Sequence, residues 1–256
     1  MFKIVIPDSK AWKNLMNAIS ALVEEATFDI TSEGLKLRAM DPSHVAMVDF
    51  QYPHTAFQEY VCSEPSKLCI DIGDILKLMR RVESGEQIEL SLDPEKNKLV
   101  MKLIGRYTRR FSLPLLQPST SEPPTPKLTF DAKITIDGDC LNDAVTDIST
   151  VSEQIRFEAY PEKLILRGGG ETGDVVVEFE KNNEAITEFQ VNTPADNKSI
   201  PHKALYGINF LSEMIKAGTA ASKLSTIEFS TDKPIKIHFT LPSEGMLTYY
   251  LAPRIE

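Results

Sequence analysis

The stretch LRAMDPSHVAMVDF, residues 37 to 50, decides the fold assignment of this 256-residue chain. Residues 35–40 and 45–50 are rich in alternating apolar and β-branched side chains, as half-buried strands are. Between them, Asp41-Pro42-Ser43 is a turn signature, because proline presets the backbone dihedral that a tight turn needs. The stretch therefore predicts two strands joined by a turn.

The same pattern recurs 129 residues later without a gap. Farther along the chain, an offset of 139 aligns a second block. A fixed internal period indicates a duplicated structural unit, and a surface loop absorbs the length difference of ten. We therefore expect two copies of one fold. The aligned pairs are Phe28 with Phe157, Leu35 with Leu164, Leu37 with Leu166, Arg38 with Arg167, Val48 with Val177 and Phe50 with Phe179, and then Ile88 with Ile227, Glu89 with Glu228 and Pro114 with Pro253.

A proline-rich segment separates the two copies. The sequence LQPSTSEPPTPK at residues 116–127 contains four prolines among serine and threonine and has no apolar periodicity. Proline lacks a backbone donor, so this segment can form neither a helix nor a central strand. We expect an N-terminal domain at 1–116, a linker at 117–127 and a C-terminal domain at 128–256.

Each copy has the pattern of an α+β domain with mostly antiparallel strands and two helices. The first helix is expected to begin after Asp8 or Ser9, both good N-caps, and the second to run from about 72 to 84. In the second copy, helices are expected at 141–151 and at about 208–221, where Gly218 weakens the end. Each helix has apolar residues at three- and four-residue spacing, which predicts one buried face.

The charges on the helices differ in sign from the net charge of the chain. The chain has 28 basic and 37 acidic residues, a net charge of −9, and an evenly spread charge of that sign would argue against nucleic acid as a partner. The polar helix faces are nevertheless basic in three of the four helices, and salt screens distant acidic groups beyond about 8 Å. The third helix is the exception, since Asp143 and Asp147 repel each other at i, i+4. We expect a basic group to face them across a subunit boundary, either Arg109, Arg110 or the end of the second-helix stripe.

The residues offer little support for catalysis, metal binding or membrane insertion. Three cysteines, Cys62, Cys69 and Cys140, lack metal-site spacing and are expected to be reduced. Gly168 to Gly170 precede no Lys-Ser/Thr and are expected to form a hairpin turn. Asp41 and His44 could form an acid–base pair, so a hydrolase remains an alternative of another class. No apolar run reaches the length of a membrane span, and we expect an unprocessed intracellular protein without a cofactor or a metal.

Two motifs carry a family resemblance. LRAMDPSHVAMVDF at 37–50 and TYYLAPRIE at 248–256, together with the duplicated halves and the linker, resemble the sliding clamps of the proliferating cell nuclear antigen family, in their archaeal form. The resemblance implies a head-to-tail homotrimeric ring, with helices lining a channel for duplex DNA. Helix width supports this number independently: twelve helices of about 10 Å leave a bore of about 28 Å, which admits a roughly 20 Å duplex.

The resemblance also implies three sets of site residues. Basic side chains would contact DNA phosphates without reading sequence. The DNA-facing residues are Lys10, Lys13, Lys77, Arg80, Arg81 and Lys216. The subunit interface residues are Arg109, Arg110, Phe111, Asp143, Asp147, Val175, Val177 and Glu178, with the strand at 109–113 pairing with 174–180 of a neighbour. The pocket for partner peptides contains Met40, His44, Val45, Met47, Leu128, Pro234, Tyr250, Leu251, Ala252 and Pro253.

The implied partners are duplex DNA, further copies of the chain, DNA polymerase, a clamp loader, flap endonuclease and ligase. The resemblance implies no enzymatic activity of the chain itself. It implies a cytoplasmic, nucleoid-associated protein in an archaeon, or a nuclear one in a eukaryote. A subunit of a heterotrimeric or checkpoint-type clamp is the alternative within the same fold.

Overall fold

A computed structural model describes residues 2–83, 85–118, 122–171, 173–192 and 200–255. Residue 84 at the expected end of the second helix and residues 119–121 of the linker therefore lie outside the described residues. The first half contains helices α1 (Ser9–Ser20) and α2 (Ile72–Met79). Its strands are β1 (Phe2–Ile6), β2 (Glu25–Thr31), β3 (Gly34–Met40), β4 (Ala46–Pro53), β5 (Glu59–Cys62), β6 (Ser66–Asp71), β7 (Gln87–Asp93), β8 (Lys98–Ile104) and β9 (Thr108–Pro114).

The second half repeats the same order of elements. Its helices are α3 (Gly138–Ser149) and α4 (Ile208–Thr219). Adding 129 to the bounds of α1 gives the bounds of α3, so the expected duplication is confirmed in the structure. The strands are β10 (Ala132–Asp137), β11 (Gln154–Ala159), β12 (Lys163–Gly170), β13 (Gly173–Glu180), β14 (Ile186–Val191), β15 (His202–Gly207), β16 (Leu224–Phe229), β17 (Ile235–Thr240) and β18 (Met246–Leu251).

The chain divides into two compact units, and each half lends a short segment to the other unit. Unit 1 comprises Met1–Pro42, Val48–Pro124 and Leu241–Leu247, and unit 2 comprises Ser43–Met47, Thr125–Thr240 and Thr248–Glu256. The expected boundaries at 116 and 128 therefore approximate the units, but a purely sequential division omits the two exchanged segments.

Both units use one strand order. In unit 1 the strands run β5-β1-β7-β8-β9 in one sheet and β4-β3-β2-β6 in another, and α1 packs against α2. In unit 2 the corresponding orders are β14-β10-β16-β17-β18 and β13-β12-β11-β15, and α3 packs against α4. Strand pairs with a defined register are antiparallel, such as Phe157 opposite Leu166. The expected α+β class with antiparallel sheets is confirmed.

The strand register corrects the second offset. Leu90 lies opposite Ile4 and Ile227 opposite Ile134, so the structural counterpart of Ile227 is Leu90 rather than Ile88. The Leu116 N–H donates a hydrogen bond to the Cys69 carbonyl of β6, and the Arg254 N–H donates one to the Leu205 carbonyl of β15. The offset is therefore 137 between β7 and β16 and 138 at the end of each copy, not 139 in either place, and Pro114 corresponds to Ala252. A match by residue type alone could not detect the shift, because strand pairing sets the register.

Helix α1 begins as expected, whereas α2 ends early. The Asp8 carboxylate accepts hydrogen bonds from the backbone N–H groups of Lys10 and Ala11, both at 2.9 Å, and caps α1. The expected helix at 72–84 ends at Met79, and Arg80 is its C-cap. Two contacts from outside the helix occupy the following residues. Arg109 donates to the Arg81 carbonyl at 2.9 Å, and Glu86 accepts from the Glu83 N–H at 2.9 Å.

Two glycines have a role that the sequence did not indicate. Gly168 to Gly170 were expected to form a turn, but they end strand β12, and a Cβ at Gly168 would collide with Ile148 of α3. Similarly, a Cβ at Gly218 of α4 would collide with the Phe239 ring. These glycines permit close packing of a helix against a sheet. Within the described ranges, the helices are all too short or too polar to cross a membrane.

Candidate functional site

Unit 1 presents basic side chains on α1 and just beyond α2. Lys10 is exposed and Lys13 is half-buried on α1, whose opposite face buries Trp12, Leu15 and Ile19. Lys77 in the last turn of α2 is 69% exposed. A hydrogen bond to Asp74, at 2.7 Å, raises the pKa of Lys77 above its usual value. The pair partly neutralises this lysine locally, so Lys77 contributes less to the surface potential than an unpaired cation would.

Arg80 and Arg81 are exposed, but they follow α2 rather than lie on its surface. The expected helical stripe of Lys77, Arg80 and Arg81 is therefore wrong as a helix face. The three cations still lie at the end of α2: Lys77 is in its last turn, Arg80 is the C-cap and donates its N–H to the Leu76 carbonyl, and Arg81 follows. Cations at a helix C-terminus are favoured by the exposed carbonyl groups there.

Unit 2 has one cation among its helical candidates and an acidic surface beside it. Lys216 is exposed in the last turn of α4. On α3, Asp143 and Asp147 are exposed, and Asp139 lies one turn earlier, so three carboxylates follow each other at i, i+4 and i+8. Sequence reasoning missed Asp139, although this spacing could have revealed it. Among the described residues, no ion pair to Asp143 or Asp147 is found, so the expected basic partner remains a prediction.

Arg109 is held inside its own unit. Its guanidinium forms an ion pair with Glu86, which is 8% exposed, and lies over the Tyr107 ring at 5.5 Å. The hydrogen bond from the Glu83 N–H, together with the Arg109 contact, lowers the pKa of the Glu86 carboxyl. The Nε atom of Arg109 is buried without a hydrogen-bond partner in the described part of the chain. The Arg109 side chain therefore connects β9 to Glu86 and to the residues that follow α2. Of the two neighbouring arginines, Arg110 is the one exposed to solvent on β9.

The two strands expected at the subunit interface are both sheet edges. Strand β9 ends the order β5-β1-β7-β8-β9, and β13 ends the order β13-β12-β11-β15. Phe111, Val175 and Val177 are half-buried, and Glu178 is exposed. An edge strand presents unpaired backbone donors and acceptors that can pair with another chain.

The expected peptide-pocket residues lie mostly in unit 2. Val45 is 38% exposed, and its carbonyl accepts a hydrogen bond from the Ala252 N–H at 2.9 Å. His44 is exposed with a positive φ of 59°. Met47 and Leu251 are buried, with 4% and 1% exposure, so they support this surface rather than form it. The half-buried members are Leu128, Pro234, Tyr250, Ala252 and Pro253, whereas Met40 belongs to unit 1.

Sequence reasoning missed the contact that fastens the linker to unit 1. The Arg38 guanidinium on β3 binds Asp49 at 2.8 Å and Glu122 at 3.2 Å, and donates to the Pro123 carbonyl at 3.4 Å. Arg38 is only 17% exposed as a result. The duplicated Arg38 and Arg167 were visible in the repeat, but the linker contact depends on tertiary folding.

The remaining candidates for chemistry do not form a site. Asp41 is buried with 3% exposure, while His44 is exposed. Across the described ranges, no group of three or more His, Cys, Asp or Glu side chains could hold a metal ion. Cys62, Cys69 and Cys140 are free thiols, as expected. Partial desolvation, with the Asp137 carboxylate nearby, raises the pKa of the exposed Cys140 thiol.

Comparison with known proteins gives a consistent result over the whole chain. Residues 1–112 match the family described as proliferating cell nuclear antigen, N-terminal domain, and residues 127–233 match repair protein Rad1/Rec1/Rad17. DNA polymerase sliding clamp 1 of Pyrobaculum aerophilum is 35% identical over 249 residues, covering 97% of this chain and 96% of the relative. The DNA polymerase sliding clamp of Thermofilum pendens is 34% identical over 256 residues, with both chains covered in full.

Solved structures give the same result for the fold. PCNA from Thermococcus kodakaraensis superposes with a TM-score of 0.91 at 26% identity, covering 99% of this chain and 100% of the other. A chain of the PCNA2-PCNA3 complex from Sulfolobus tokodaii superposes with a TM-score of 0.89 at 26% identity and the same coverage. With full-length relatives above 30% identity and a duplicated fold that matches theirs, this chain belongs to the family of DNA polymerase sliding clamps.

Proposed function

We propose that this chain assembles head to tail into a ring of three copies that encircles duplex DNA and holds a DNA polymerase on it. Family members are non-enzymatic scaffolds, so the hydrolase alternative based on Asp41 and His44 is wrong. A closed ring replaces dissociation from DNA by slow ring opening, and it keeps a bound enzyme at high effective concentration.

The observation that carries the proposal is the pair of free edges, β9 and β13. Their counterparts in the repeat are β18 and β4, and in unit 2 the Ala252 N–H bonds to the Val45 carbonyl at 2.9 Å. With the offset of 138, Ala252 corresponds to Pro114, and with the offset of 129, Val45 corresponds to Asp174. The equivalent contact would therefore place Pro114 of one copy beside Asp174 of the next. Because the edges are heterologous, each copy would use β9 on one side and β13 on the other, which generates a ring when the rotation closes.

The same offsets propose a register for this interface. If the strands run antiparallel, as the described strand pairs with a defined register do, Arg110 lies opposite Glu178 and Phe111 lies opposite Val177. Opposite charges then meet on one side of the extended sheet, and apolar groups meet on the other. Pro114 has no N–H, so it cannot repeat the Ala252 hydrogen bond, and the pairing would begin at Ser112. Proline is tolerated at such a strand end.

The helix faces support non-specific contact with DNA. Lys10, Lys13, Arg80, Arg81 and Lys216 are exposed or half-buried cations. Such cations attract phosphates in a salt-dependent manner and permit sliding. The acidic face of α3 would lie away from the phosphates or opposite a basic group of another copy.

The proposal includes partner proteins that dock through short peptide motifs. Val45, Tyr250 and Pro253 would form the exposed part of the peptide pocket, with Met47 beneath them. The partners we propose are DNA polymerase, a clamp loader, flap endonuclease and ligase, all acting where the chromosomal DNA lies.

A retention experiment tests the central claim. Light scattering of the lone chain should give three times its 28.6 kDa mass. Rings cross-linked at the β9–β13 contact should remain on nicked circular DNA at a salt concentration that removes phosphate contacts, and should slide off once the DNA is linearised. Equal loss from circular and linear DNA would contradict encirclement.

A heterotrimeric or checkpoint-type clamp is the second candidate, since residues 127–233 match the Rad1/Rec1/Rad17 family. If this candidate is correct, the purified chain alone should remain a monomer at concentrations at which a homotrimeric clamp would assemble. A trimeric mass of the purified chain alone would exclude it.

A further inference from the structure

The outer faces of the two repeated sheets differ in what covers them. On β3, Arg38 joins Asp49 at 2.8 Å to Glu122 at 3.2 Å and to the Pro123 carbonyl at 3.4 Å. The linker is therefore fastened to the sheet β4-β3-β2-β6 as an extended segment. One arginine, one strand carboxylate and one glutamate–proline pair make this contact.

In both copies, the segment that follows the last strand bonds to the equivalent neighbouring sheet. In unit 1, the Leu116 N–H bonds to the Cys69 carbonyl at 2.9 Å as the chain leaves β9, and in unit 2 the Arg254 N–H bonds to the Leu205 carbonyl at 2.7 Å. Cys69 lies opposite Thr27, and Leu205 lies opposite Arg156, 129 residues later. Both segments thus enter an equivalent sheet face at an equivalent point.

Arg167, the counterpart of Arg38, is left with fewer partners. Its side chain is 42% exposed, compared with 17% for Arg38, and it binds Glu158 at 3.2 Å. Glu178, the counterpart of Asp49, instead binds Lys163 at 2.9 Å. Within the described residues, no glutamate–proline segment lies over Arg167 as Glu122 and Pro123 lie over Arg38.

An open groove of about 440 Å³ occupies this uncovered face of unit 2. Arg156 and Arg167 lie directly opposite each other on β11 and β12, whereas unit 1 has Thr27 in place of Arg156. Two guanidinium groups on neighbouring strands can both donate charge-assisted hydrogen bonds to an anionic ligand in the groove. The groove residues that matter here are Arg156, Arg167, Gly169, Asp174, Val176 and Leu205.

The acidic groups near the groove do not prevent such binding. Glu158 pairs with Arg167, and Asp174 lies over Gly169. In unit 1, Arg38 binds Asp49 and also donates to a second carboxylate, that of Glu122. A guanidinium offers five N–H donors, which suffice for two carboxylates. Gly169 replaces Met40 of unit 1, so backbone forms the floor of the groove.

We propose that this groove binds an extended acidic segment of a partner protein, with a glutamate followed by proline, in the way that Arg38 holds the linker. Arg167 binds the glutamate, Arg156 adds attraction, and Leu205 and Val176 contact the proline. This docking surface lies wholly within unit 2. It is separate from the peptide pocket around Val45 and Pro253, and it requires no ring closure.

The linker sequence supplies the probe. A fluorescent peptide of residues 115–127, LLQPSTSEPPTPK, is titrated into the full-length protein and followed by anisotropy. We expect saturable binding in the millimolar range or tighter, and an increase of about tenfold in Kd for Arg167→Gln, as for loss of a charge-assisted hydrogen bond. Lys203→Gln, which removes an exposed cation from the neighbouring strand β15, should change Kd by less than about twofold.

A peptide with Glu122→Gln completes the test. It should bind the wild-type protein about tenfold more weakly, yet lose little further affinity for Arg167→Gln, because the two groups contact each other. Arg156→Gln gives a second variant, and urea denaturation confirms that each variant is folded. Four outcomes would overturn the proposal: no saturable binding, equal binding to Arg167→Gln, dependence on Arg38 instead, or equal competition by inorganic phosphate.

Discussion

The two halves of this clamp share one fold but differ in charge. Residues 1–116 contain 15 basic and 16 acidic residues, whereas residues 128–256 contain 12 basic and 20 acidic residues. Nearly all of the net charge of −9 therefore belongs to the second half. The difference is visible at equivalent positions 129 residues apart, since Lys10 of α1 corresponds to Asp139 of α3, and Asn14 corresponds to Asp143.

This comparison shows which features the fold requires and which each copy has changed. The buried positions of α1 and α3 correspond, as Ile19 and Ile148 do, because both must pack on the same sheets. Exposed positions are free of that constraint, so one copy can acquire cations and the other carboxylates. A net acidic chain can thus present a basic surface, provided that the cations cluster within a Debye length of the ligand.

The largest expected effect is on the proposed contact between the edge strands β9 and β13. Arg110→Glu would place two carboxylates opposite each other at every β9–β13 contact, and like-charge pairs cost up to several kcal/mol at an interface. We expect the trimer to dissociate at micromolar concentration, as measured by light scattering. The double variant Arg110→Glu with Glu178→Arg should restore the trimer, since it swaps the pair.

Arg106→Glu is the matched control for this experiment. Arg106 is an exposed arginine just before β9, outside the proposed strand pairing. This variant should remain trimeric. Dissociation of Arg106→Glu, or failure of the charge swap, would contradict the proposed register.

The next effect concerns the packing of each repeat. Gly168 of β12 corresponds to Ala39 of β3, and a methyl group at Gly168 would collide with Ile148. Gly168→Ala should lower the free energy of unfolding by about 1–3 kcal/mol through overpacking. Ala39→Gly should cost only about 0.5–1 kcal/mol through backbone entropy. Urea denaturation measures both, and equal costs would mean that α3 is not packed tightly on β12.

A smaller effect is expected on DNA binding. Lys10→Gln should reduce the slope of log affinity against log salt by about 0.9 for each phosphate that the lysine neutralises. Asp143→Asn should leave the slope unchanged, because the acidic face of α3 is proposed to lie away from the phosphates or opposite a basic group of another copy. Lys36→Gln, at an exposed lysine of β3, is the control and should leave the slope unchanged. An unchanged slope for Lys10→Gln would exclude α1 from the DNA-facing surface.

The smallest effect is a difference in the pH dependence of stability. Burial lowers the pKa of His238 on β17 below its ordinary 6.5, with Lys236 and Lys133 acting in the same direction and Glu228 against it. The unfolded chain therefore takes up the proton first, and unit 2 loses stability as the pH falls below about 6.5. The pKa of Glu86 in unit 1 is lowered from 4.5, so its contribution is lost only below that pH.

Denaturation at pH 7.5, 6.5 and 5.5 separates these two effects. His238→Gln should remove the part of the pH dependence above pH 5.5, while Glu86→Gln should leave it intact. Identical profiles for the wild type and His238→Gln would show that the buried histidine does not control this range.

The fold was largely predictable because the pattern occurs twice. One match between residues 28–50 and 157–179 indicated the duplication, and the buried faces of the helices followed from apolar spacing alone. The end of α2 was not predictable from its own residues. Arg109 and Glu86, which occupy the Arg81 and Glu83 backbone groups, come from outside the helix.

The candidate sites divide in the same way. The family resemblance implied that β9 and β13 meet across a subunit interface, and the structure places both at sheet edges, whereas the ion pair of Arg109 depends on tertiary packing. The contact of Arg38 with Glu122 joins residues 84 positions apart. Such contacts leave no periodic signal in the sequence, so only the structure could identify them.

The exchange of segments between the two units affects how the chain would respond to cutting. Ser43–Met47 completes unit 2, and Leu241–Leu247 completes unit 1. A protease that cleaves within residues 117–127 would thus not divide the chain along the borders of the two units. Each of the two polypeptides made separately from these halves would lack one segment of its own unit and carry one segment of the other.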